Sequence, residues 1–197
     1  VETIRTHLNV LRAEGRKWVI AVPGNMGAGF LKGYLTEQNK TSVGSMEAFM
    51  NSLVTMSNFV GRTIDITAEL GFSGILIAGH MGKLVKIGNG IMNTHSRDGR
   101  MDTMLSCALS AGTEDLELLR KIQGSNTTDE VMDHLKQAGI LDDTIKVFLK
   151  RAAWHLAHRS RAEVKTGMIV FGTKGEYLGE TEDADMIFKK ALEELGR

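Results

Sequence analysis

The fold is decided by the stretch WVIAVPGNMG, residues 18–27, in which five apolar residues lead directly into a glycine-containing turn. Two further apolar runs end in a similar way, at residues 53–56 before Ser57-Asn58 and at residues 74–78 before Gly79-His80. Short apolar runs without strict alternation suit strands that are buried on both faces of a sheet. The pattern therefore predicts a βαβαβ unit whose parallel strands are flanked by helices.

Helical periodicity surrounds these runs. It predicts an amphipathic helix at the start of the chain and a helix over residues 58–70 with Asn58 as its N-cap. Later segments are predicted as four helices at residues 101–110, 115–122, 128–138 and 142–158. A strand at residues 168–171 and a closing helix at residues 183–195 follow them. The fold class is α/β: a Rossmann-like, mostly parallel sheet flanked by helices, with a helical second half and a late additional strand. Residues 1–197 are predicted to form one domain.

Composition excludes several classes of protein. The 24 Lys and Arg residues equal the 24 Asp and Glu residues, so no net basic field draws the chain to nucleic acid or to an anionic membrane. No apolar run approaches the ~20 residues of a membrane span. Cys107 is the single cysteine, which excludes an internal disulfide framework and favours the cytoplasm. Neither a nucleic-acid nor a membrane partner is expected, and homo-oligomerisation stays open.

Polar or glycine-containing turns follow all three predicted strands, and ligands of open α/β sheets bind at that edge. The first turn, residues 24–29, either brings its backbone close to a nucleotide-like ligand or is a tight βα turn without a ligand. Its glycine order is G-x-x-G-x-G, which differs from the dinucleotide fingerprint, and Ser57-Asn58 supplies no acidic residue for a ribose. NAD is therefore disfavoured.

The third turn opens the stretch GHMGKLVKIGNGIMNTHS, residues 79–96, which is predicted to be helical. An apolar stripe that packs on the sheet is formed by Leu84, Ile87 and Ile91. A polar face that binds an acidic ligand is formed by Lys83, Lys86 and Asn93. Gly88 and Gly90 each cost a helix about 1 kcal/mol relative to alanine. Either a bulky ligand or a neighbouring helix approaches closely there.

Charged and titratable residues flank this stretch. His80 and His95 lack metal-ligand spacing, so no protein-bound metal is expected; an acid–base role and a structural role remain open for both. Arg97 and Arg100 either bind carboxylates or are solvated. A second basic cluster, at residues 155–161, suits the carboxyl end of a long helix and is interpreted as structural.

At these same turns the chain resembles the CbiD family of cobalamin biosynthesis, the cobalt-precorrin-5B C-1-methyltransferases, also called cobalt-precorrin-6A synthases. The matching blocks are residues 23–27, 57–61 and, most specifically, 79–96 with 98–101 behind them. Family members carry a further N-terminal half, so the chain resembles their C-terminal portion. It departs from the family at residues 87–90, Ile-Gly-Asn-Gly, where Leu-Ala-Ala-Gly is usual.

The resemblance implies an S-adenosylmethionine-dependent C-methyltransferase that converts cobalt-precorrin-5B to cobalt-precorrin-6A in anaerobic cobalamin biosynthesis, with cobalt belonging to the tetrapyrrole substrate. Onto the matching positions it places S-adenosylmethionine at Gly24, Asn25, Gly27 and Asn58. It places the tetrapyrrole at His80, Lys83, Lys86, Asn93, Thr94 and Arg100, with His95 as a catalytic proton acceptor.

Two other functions remain as alternatives. A non-catalytic module that binds corrinoid intermediates would bind the tetrapyrrole but not S-adenosylhomocysteine, and neither a fold nor a basic groove implies catalysis. A nucleotide-dependent oxidoreductase would bind NAD(P), against which the glycine order and the missing ribose acid argue.

Overall fold

The computed structural model describes residues 1–37, 45–95 and 99–196. Its elements, in chain order, are α1 (Glu2–Ala13), β1 (Trp18–Val22), α2 (Asn25–Glu37), α3 (Met46–Ser52), β2 (Leu53–Thr55), α4 (Val60–Glu69), β3 (Gly74–His80), α5 (Met81–Leu84), a 3-10 segment (Val85–Asn89), α6 (Arg100–Ser110), α7 (Leu116–Gly124), α8 (Thr128–Gln137), α9 (Leu141–Arg159), β4 (Lys165–Phe171), β5 (Tyr177–Glu180) and α10 (Ala184–Leu195).

The strands form one sheet in the order β2-β1-β3-β4-β5, in which β1 to β4 are parallel and β5 is antiparallel to β4. The α/β class and the parallel strands are thereby confirmed. From β1 the chain goes to β2 on one side and returns to β3 on the other side of β1. A crevice therefore forms where the carboxyl ends of β1 and β3 diverge, the usual position of ligands in such sheets.

Both faces of the sheet are covered, which explains why the strand sequences do not alternate. In β1, Val19 and Ala21 face a core formed with α1, α4 and the later helices, whereas Ile20 and Val22 face a second core with α2, α3 and α10. Successive side chains of a strand point to opposite faces. The inner positions of these strands are therefore mostly apolar or small, whereas Thr55 and Lys165 at strand ends are exposed.

The amphipathic first helix and the four later helices lie where they were predicted, within about two residues at each end. Gly139, with φ of +74°, follows the end of α8, where a left-handed glycine commonly terminates a helix. The elements α3 and β5 were not predicted. In β5, Tyr177 is exposed and Leu178 half-buried, so this edge strand lacks the apolar run that identified the others.

The predicted N-cap of α4 was wrong. Phe59 occupies that position without a side-chain hydrogen bond, and it is 37% exposed. The Asn58 side chain instead accepts hydrogen bonds from Lys83 and Thr94. Contacts with distant residues have replaced the local cap.

The single helix predicted within residues 79–96 was also wrong. Helix α5 has four residues, and the 3-10 segment behind it ends at Gly90, whose φ is +75°. Gly90 donates its N–H to the Ile87 carbonyl, and Ile91 donates to the Lys86 carbonyl, which is the Schellman pattern of helix termination. The chain therefore reverses at Gly90, and Ile91 leaves the expected apolar stripe.

Gly88 and Gly90 contact other helices. A Cβ atom on Gly88 would lie 2.8 Å from Phe148 Cδ2 and 2.9 Å from Thr103 Cγ2, and one on Gly90 would lie 3.0 Å from His155 Nδ1. Phe148 and His155 belong to α9, and Thr103 belongs to α6. Of the two explanations for these glycines, close helix packing is the one the structure supports.

None of the helices in the described ranges combines the length and the apolar character that crossing a membrane requires.

Candidate functional site

The three turns that follow β1, β2 and β3 lie at the carboxyl edge of the sheet, because parallel strands end on the same side. After β1 only Pro23 and Gly24 precede α2, so the predicted glycine loop, residues 24–29, lies mostly within the first turns of a helix. A Cβ on Gly27 would lie 2.9 Å from the Ala78 carbonyl oxygen and 3.0 Å from Val22 Cβ. Gly27 therefore allows α2 to lie close to β1 and β3, while exposed Asn25 begins the helix at this edge.

Asn58 is the centre of a polar cluster at the end of β2. Its Oδ1 accepts hydrogen bonds from Lys83 Nζ and from Thr94 Oγ1, both at 3.2 Å. Its backbone carbonyl accepts the Thr94 N–H at 3.0 Å. Ser57 precedes it with φ of +54°, an unusual conformation for a residue with a side chain. We call Asn58, Lys83, Lys86 and Thr94 the Asn58 cluster.

Lys86 has a different environment from the one predicted. Its side chain is only 4% exposed, and its ammonium donates to the Thr94 carbonyl at 2.7 Å. The chain reversal at Gly90 brings residues 91–95 back over Lys86, and the sequence pattern did not reveal this reversal. Lys83 is half-buried, so the two lysines do not share the solvent-facing surface that helical spacing predicted.

His80 ends β3 and caps α5, and both of its ring nitrogens are engaged. Nδ1 accepts the Gly82 N–H at 3.0 Å, so in the neutral ring Nε2 carries the hydrogen. Nε2 lies 2.9 Å from Thr173 Oγ1, which donates to Asp129 Oδ2 at 2.5 Å. His80 thus connects β3 to the β4–β5 turn and to α8.

Sequence reasoning missed Thr173 and Asp129. Thr173 lies 93 positions from His80, and no spacing in a single sequence links the two. The turn after β4 would have been the only clue, because a fourth parallel strand also ends at the ligand-binding edge.

The remaining predicted residues lie on neighbouring segments. Asn93 and His95 are exposed, and Asn93 Oδ1 accepts the His95 N–H at 3.0 Å in a local turn. Arg100 is half-buried and opens α6 after Gly99, whose φ is +83°. Arg97 lies outside the described residues. The edge therefore offers the Lys83 ammonium, the Arg100 guanidinium and the start of α2, which suit an anionic ligand.

The second basic cluster makes structural contacts. Arg159 Nε and Nη2 donate to the two carboxylate oxygens of Asp65 at 2.8 and 2.7 Å, which ties α9 to α4. The pKa of His155 is lowered mainly by burial and further by the charges of His158 and Arg151. Within the part of the chain that the structure describes, no group of three or more His, Cys, Asp and Glu side chains is arranged to hold a metal ion.

Comparisons with known proteins give the family. Residues 93–182 match the model of the CbiD C-terminal domain. A Fusobacterium nucleatum protein named cobalt-precorrin-5B C(1)-methyltransferase is 35% identical over 181 residues, which cover 89% of this chain. Proteins of the same name from Methanocaldococcus jannaschii and Salmonella arizonae are each 34% identical, over 91% and 95% of this chain. The chain belongs to the CbiD family.

These alignments cover 43%, 46% and 48% of the three relatives, so the chain spans about half the length of the curated CbiD proteins it matches. No solved structure matches the chain. The part that matches the CbiD model contains Thr94, Asp129 and Thr173, whereas Asn58 and His80 precede it. The contacts described above therefore join the CbiD-matching part to the strands before it.

The His80–Thr173–Asp129 connection in this CbiD-family chain yields a stability prediction. Thr173→Val removes the hydroxyl that links the other two side chains, and we expect the free energy of unfolding to fall by about 1 kcal/mol. Thr173→Ser keeps the hydroxyl and is the matched control. Urea unfolding of both variants measures the difference, and equal midpoints for valine and serine would show that the hydroxyl contributes nothing.

Proposed function

We propose that this chain carries out, within a CbiD protein, the transfer of a methyl group from S-adenosylmethionine to C-1 of cobalt-precorrin-5B, giving cobalt-precorrin-6A. The chief support is that relatives carrying the corresponding enzyme name align with about nine-tenths of the chain. The convergence of the Asn58 cluster, His80 and the start of α2 at one sheet edge adds a place for two ligands to meet. We propose that residues 1–197 form one α/β domain that corresponds to the C-terminal portion of such enzymes.

The reaction requires alignment more than a reactive side chain. An electron pair at C-1 forms the new carbon–carbon bond, and the sulfonium sulfur takes the pair of the broken bond, leaving S-adenosylhomocysteine. A proton that the methylated ring gives up passes to His95. Holding nucleophile, methyl carbon and sulfur in line can lower the barrier by roughly 7–11 kcal/mol in favourable cases. No covalent enzyme intermediate is needed.

The methyl donor is assigned to Gly24, Asn25, Gly27 and Asn58. Asn25 is exposed at the first turn of α2, where unpaired backbone N–H groups favour a carboxylate. Gly27 keeps this turn close to β1 and β3, so its part is to place the turn rather than to touch the ligand. The amide of Asn58 lies at the end of the neighbouring strand β2.

The tetrapyrrole is assigned to His80, Lys83, Lys86, Asn93, Thr94 and Arg100. Lys83 and Arg100, both half-buried, supply positive charge for its carboxylates. Lys86 acts by holding Thr94, and with it the segment that carries Asn93 and His95. His80 acts by fixing the β4–β5 turn beside the site.

The test is a methyl-transfer assay with isotopically labelled S-adenosylmethionine and cobalt-precorrin-5B, using the complete protein expressed from its gene. We expect label to enter the tetrapyrrole, and the His95→Ala variant to lose rate without losing tetrapyrrole affinity. Calorimetric titration of S-adenosylhomocysteine into the same protein is the companion measurement. Tetrapyrrole binding without S-adenosylhomocysteine binding and without label transfer would overturn the proposal and favour a corrinoid-binding module.

A further inference from the structure

A groove of about 390 Å³ lies between α2 and the turn that joins β4 to β5. This volume falls at the lower end of the range for small-molecule sites. One face of α2 and the turn residues line it: Met26, Gly29, Phe30, Gly33, Tyr34, Phe171 and residues 173–175. None of its side chains was assigned above to the methyl donor or to the tetrapyrrole.

One wall of the groove is formed by a row of stacked aromatic rings. The rings of Phe30 and Phe171 stack with centroids 4.3 Å apart and planes 12° apart. Phe30 also stacks with Tyr34 at 5.6 Å, and Tyr34 stacks with Tyr177 at 5.9 Å. Met26 is 61% exposed at one end of this row. Because these rings stack face to face and Phe171 is only 2% exposed, the row presents mainly ring edges to the groove, and the face of a planar ligand can pack against such edges.

The helical side of the groove is open because it carries glycines. No atom lies within 4 Å of the position that a Cβ would take on Gly29 or on Gly33. Both positions are on the same face of α2 as Phe30 and Met26, as spacings of three and four residues require. Side chains at these positions would enter the groove, and glycine leaves its volume free.

The charge of the groove favours a neutral planar ligand over a polycarboxylate. Lys174 is the charged side chain among its described lining residues. Beside it, the Glu176 carboxylate is held in the turn by the Lys174 N–H at 2.9 Å. A tetrapyrrole with many carboxylates would meet one ammonium group and one carboxylate here, and it would exceed the volume.

Both walls of the groove belong to elements that also reach the candidate site. Its helix, α2, begins at Asn25, which is assigned to the methyl donor. Its turn contains Thr173, whose hydroxyl contacts His80. A ligand lying in the groove could therefore extend toward the edge of the sheet where methyl transfer would take place.

We propose that this groove binds the adenosine part of S-adenosylmethionine, with the face of the base packed against the ring edges of the aromatic wall and the sulfonium end directed toward the start of α2. The inference rests on the proposed function for the identity of the donor. It adds a specific location, the α2–turn groove, for the part of the donor that does not react.

Calorimetric titration of S-adenosylhomocysteine into the 197-residue chain tests the groove through Gly33→Leu. Leucine at this open position fills the groove and improves helix propensity, so the variant is expected to fold. Because the leucine side chain would occupy space that the base needs, binding is expected to weaken about ten-fold or more. The matched control is Gly124→Leu, which changes an equally open glycine at the end of α7 and should leave the affinity unchanged. Thermal unfolding of both variants verifies the fold.

Several outcomes separate this inference from the proposed function. Equal affinities of the wild-type chain and Gly33→Leu, or no binding by the folded wild-type chain, would overturn the groove assignment. If complete protein carrying Gly33→Leu still transferred methyl groups with an unchanged KM for S-adenosylmethionine, the groove assignment would fail while the function stood. If binding depended on Gly33 but no methyl group were transferred, the function would fail while the groove assignment stood.

Discussion

Replacing Gly88 with valine is expected to lower the free energy of unfolding by about 3 kcal/mol, the upper part of the usual range for overpacked cores. Even a single Cβ there would lie 2.8 Å from the Phe148 ring and 2.9 Å from the Thr103 methyl group. Phe148 and Gly88 are both fully buried, so neither ring nor backbone can move into solvent. Chemical denaturation of the wild type and the variant measures the loss.

Two further variants show whether the loss comes from this contact. Gly124→Val changes a glycine with open space around it, and we expect less than about 1 kcal/mol of destabilisation there. Phe148→Leu removes part of the ring that valine would strike, so the double variant should lose less stability than the two single changes added together. Additive losses would mean that valine at position 88 does not clash with the Phe148 ring.

Lys86→Met is expected to reduce kcat for methyl transfer about 100-fold, which is the effect of misplacing reacting groups by about 1 Å. Methionine matches the buried stem of lysine but cannot donate to the Thr94 carbonyl, which Lys86 holds at 2.7 Å. Residues 91–95, which carry His95, would lose this anchor. Steady-state kinetics of the complete protein, with KM measured separately for both substrates, give the result.

Lys83→Met provides the comparison. Half-buried Lys83 supplies positive charge for the tetrapyrrole carboxylates, so its loss should act mainly on the KM for the tetrapyrrole. Thr94 Oγ1 still donates to Asn58 Oδ1 in this variant, so S-adenosylhomocysteine affinity should change little. Urea unfolding separates a stability effect from a kinetic one in both variants. A folded Lys86→Met protein with wild-type kcat would show that Thr94 needs no anchor from Lys86.

The sequence predicted the location of the candidate site better than it predicted the contacts among the residues of that site. Three polar turns after apolar runs identified the carboxyl edge, because parallel strands end on one side of a sheet. Asn58, Lys83, Lys86 and Thr94 do lie together there. Helical spacing nevertheless assigned the wrong environment to Lys86, since one left-handed residue, Gly90, ends the helix and reverses the chain.

Contacts between residues distant in the sequence account for the other features that were not predicted. The partner of His80 lies 93 positions away on the β4–β5 turn, and the partner of Arg159 lies 94 positions away on α4. A single sequence contains no periodicity that pairs such residues. The aromatic wall of the groove likewise combines Phe30 of α2 with Phe171 of β4, which are unrelated in spacing.

The sequence by itself determined the α/β class, the three strands of the βαβαβ unit, a later strand, most helices and the sheet edge at which the candidate site lies. These features depend on local patterns, because burial on both faces of a strand or on one face of a helix leaves a repeating signature in the chain. Only the tertiary structure decided that Lys86 is buried, that Gly88 and Gly90 pack against α9, and that His80 is tied to Thr173. Those outcomes depend on which segments meet and at what distance, which is set by packing across the whole fold and is not encoded in any one segment.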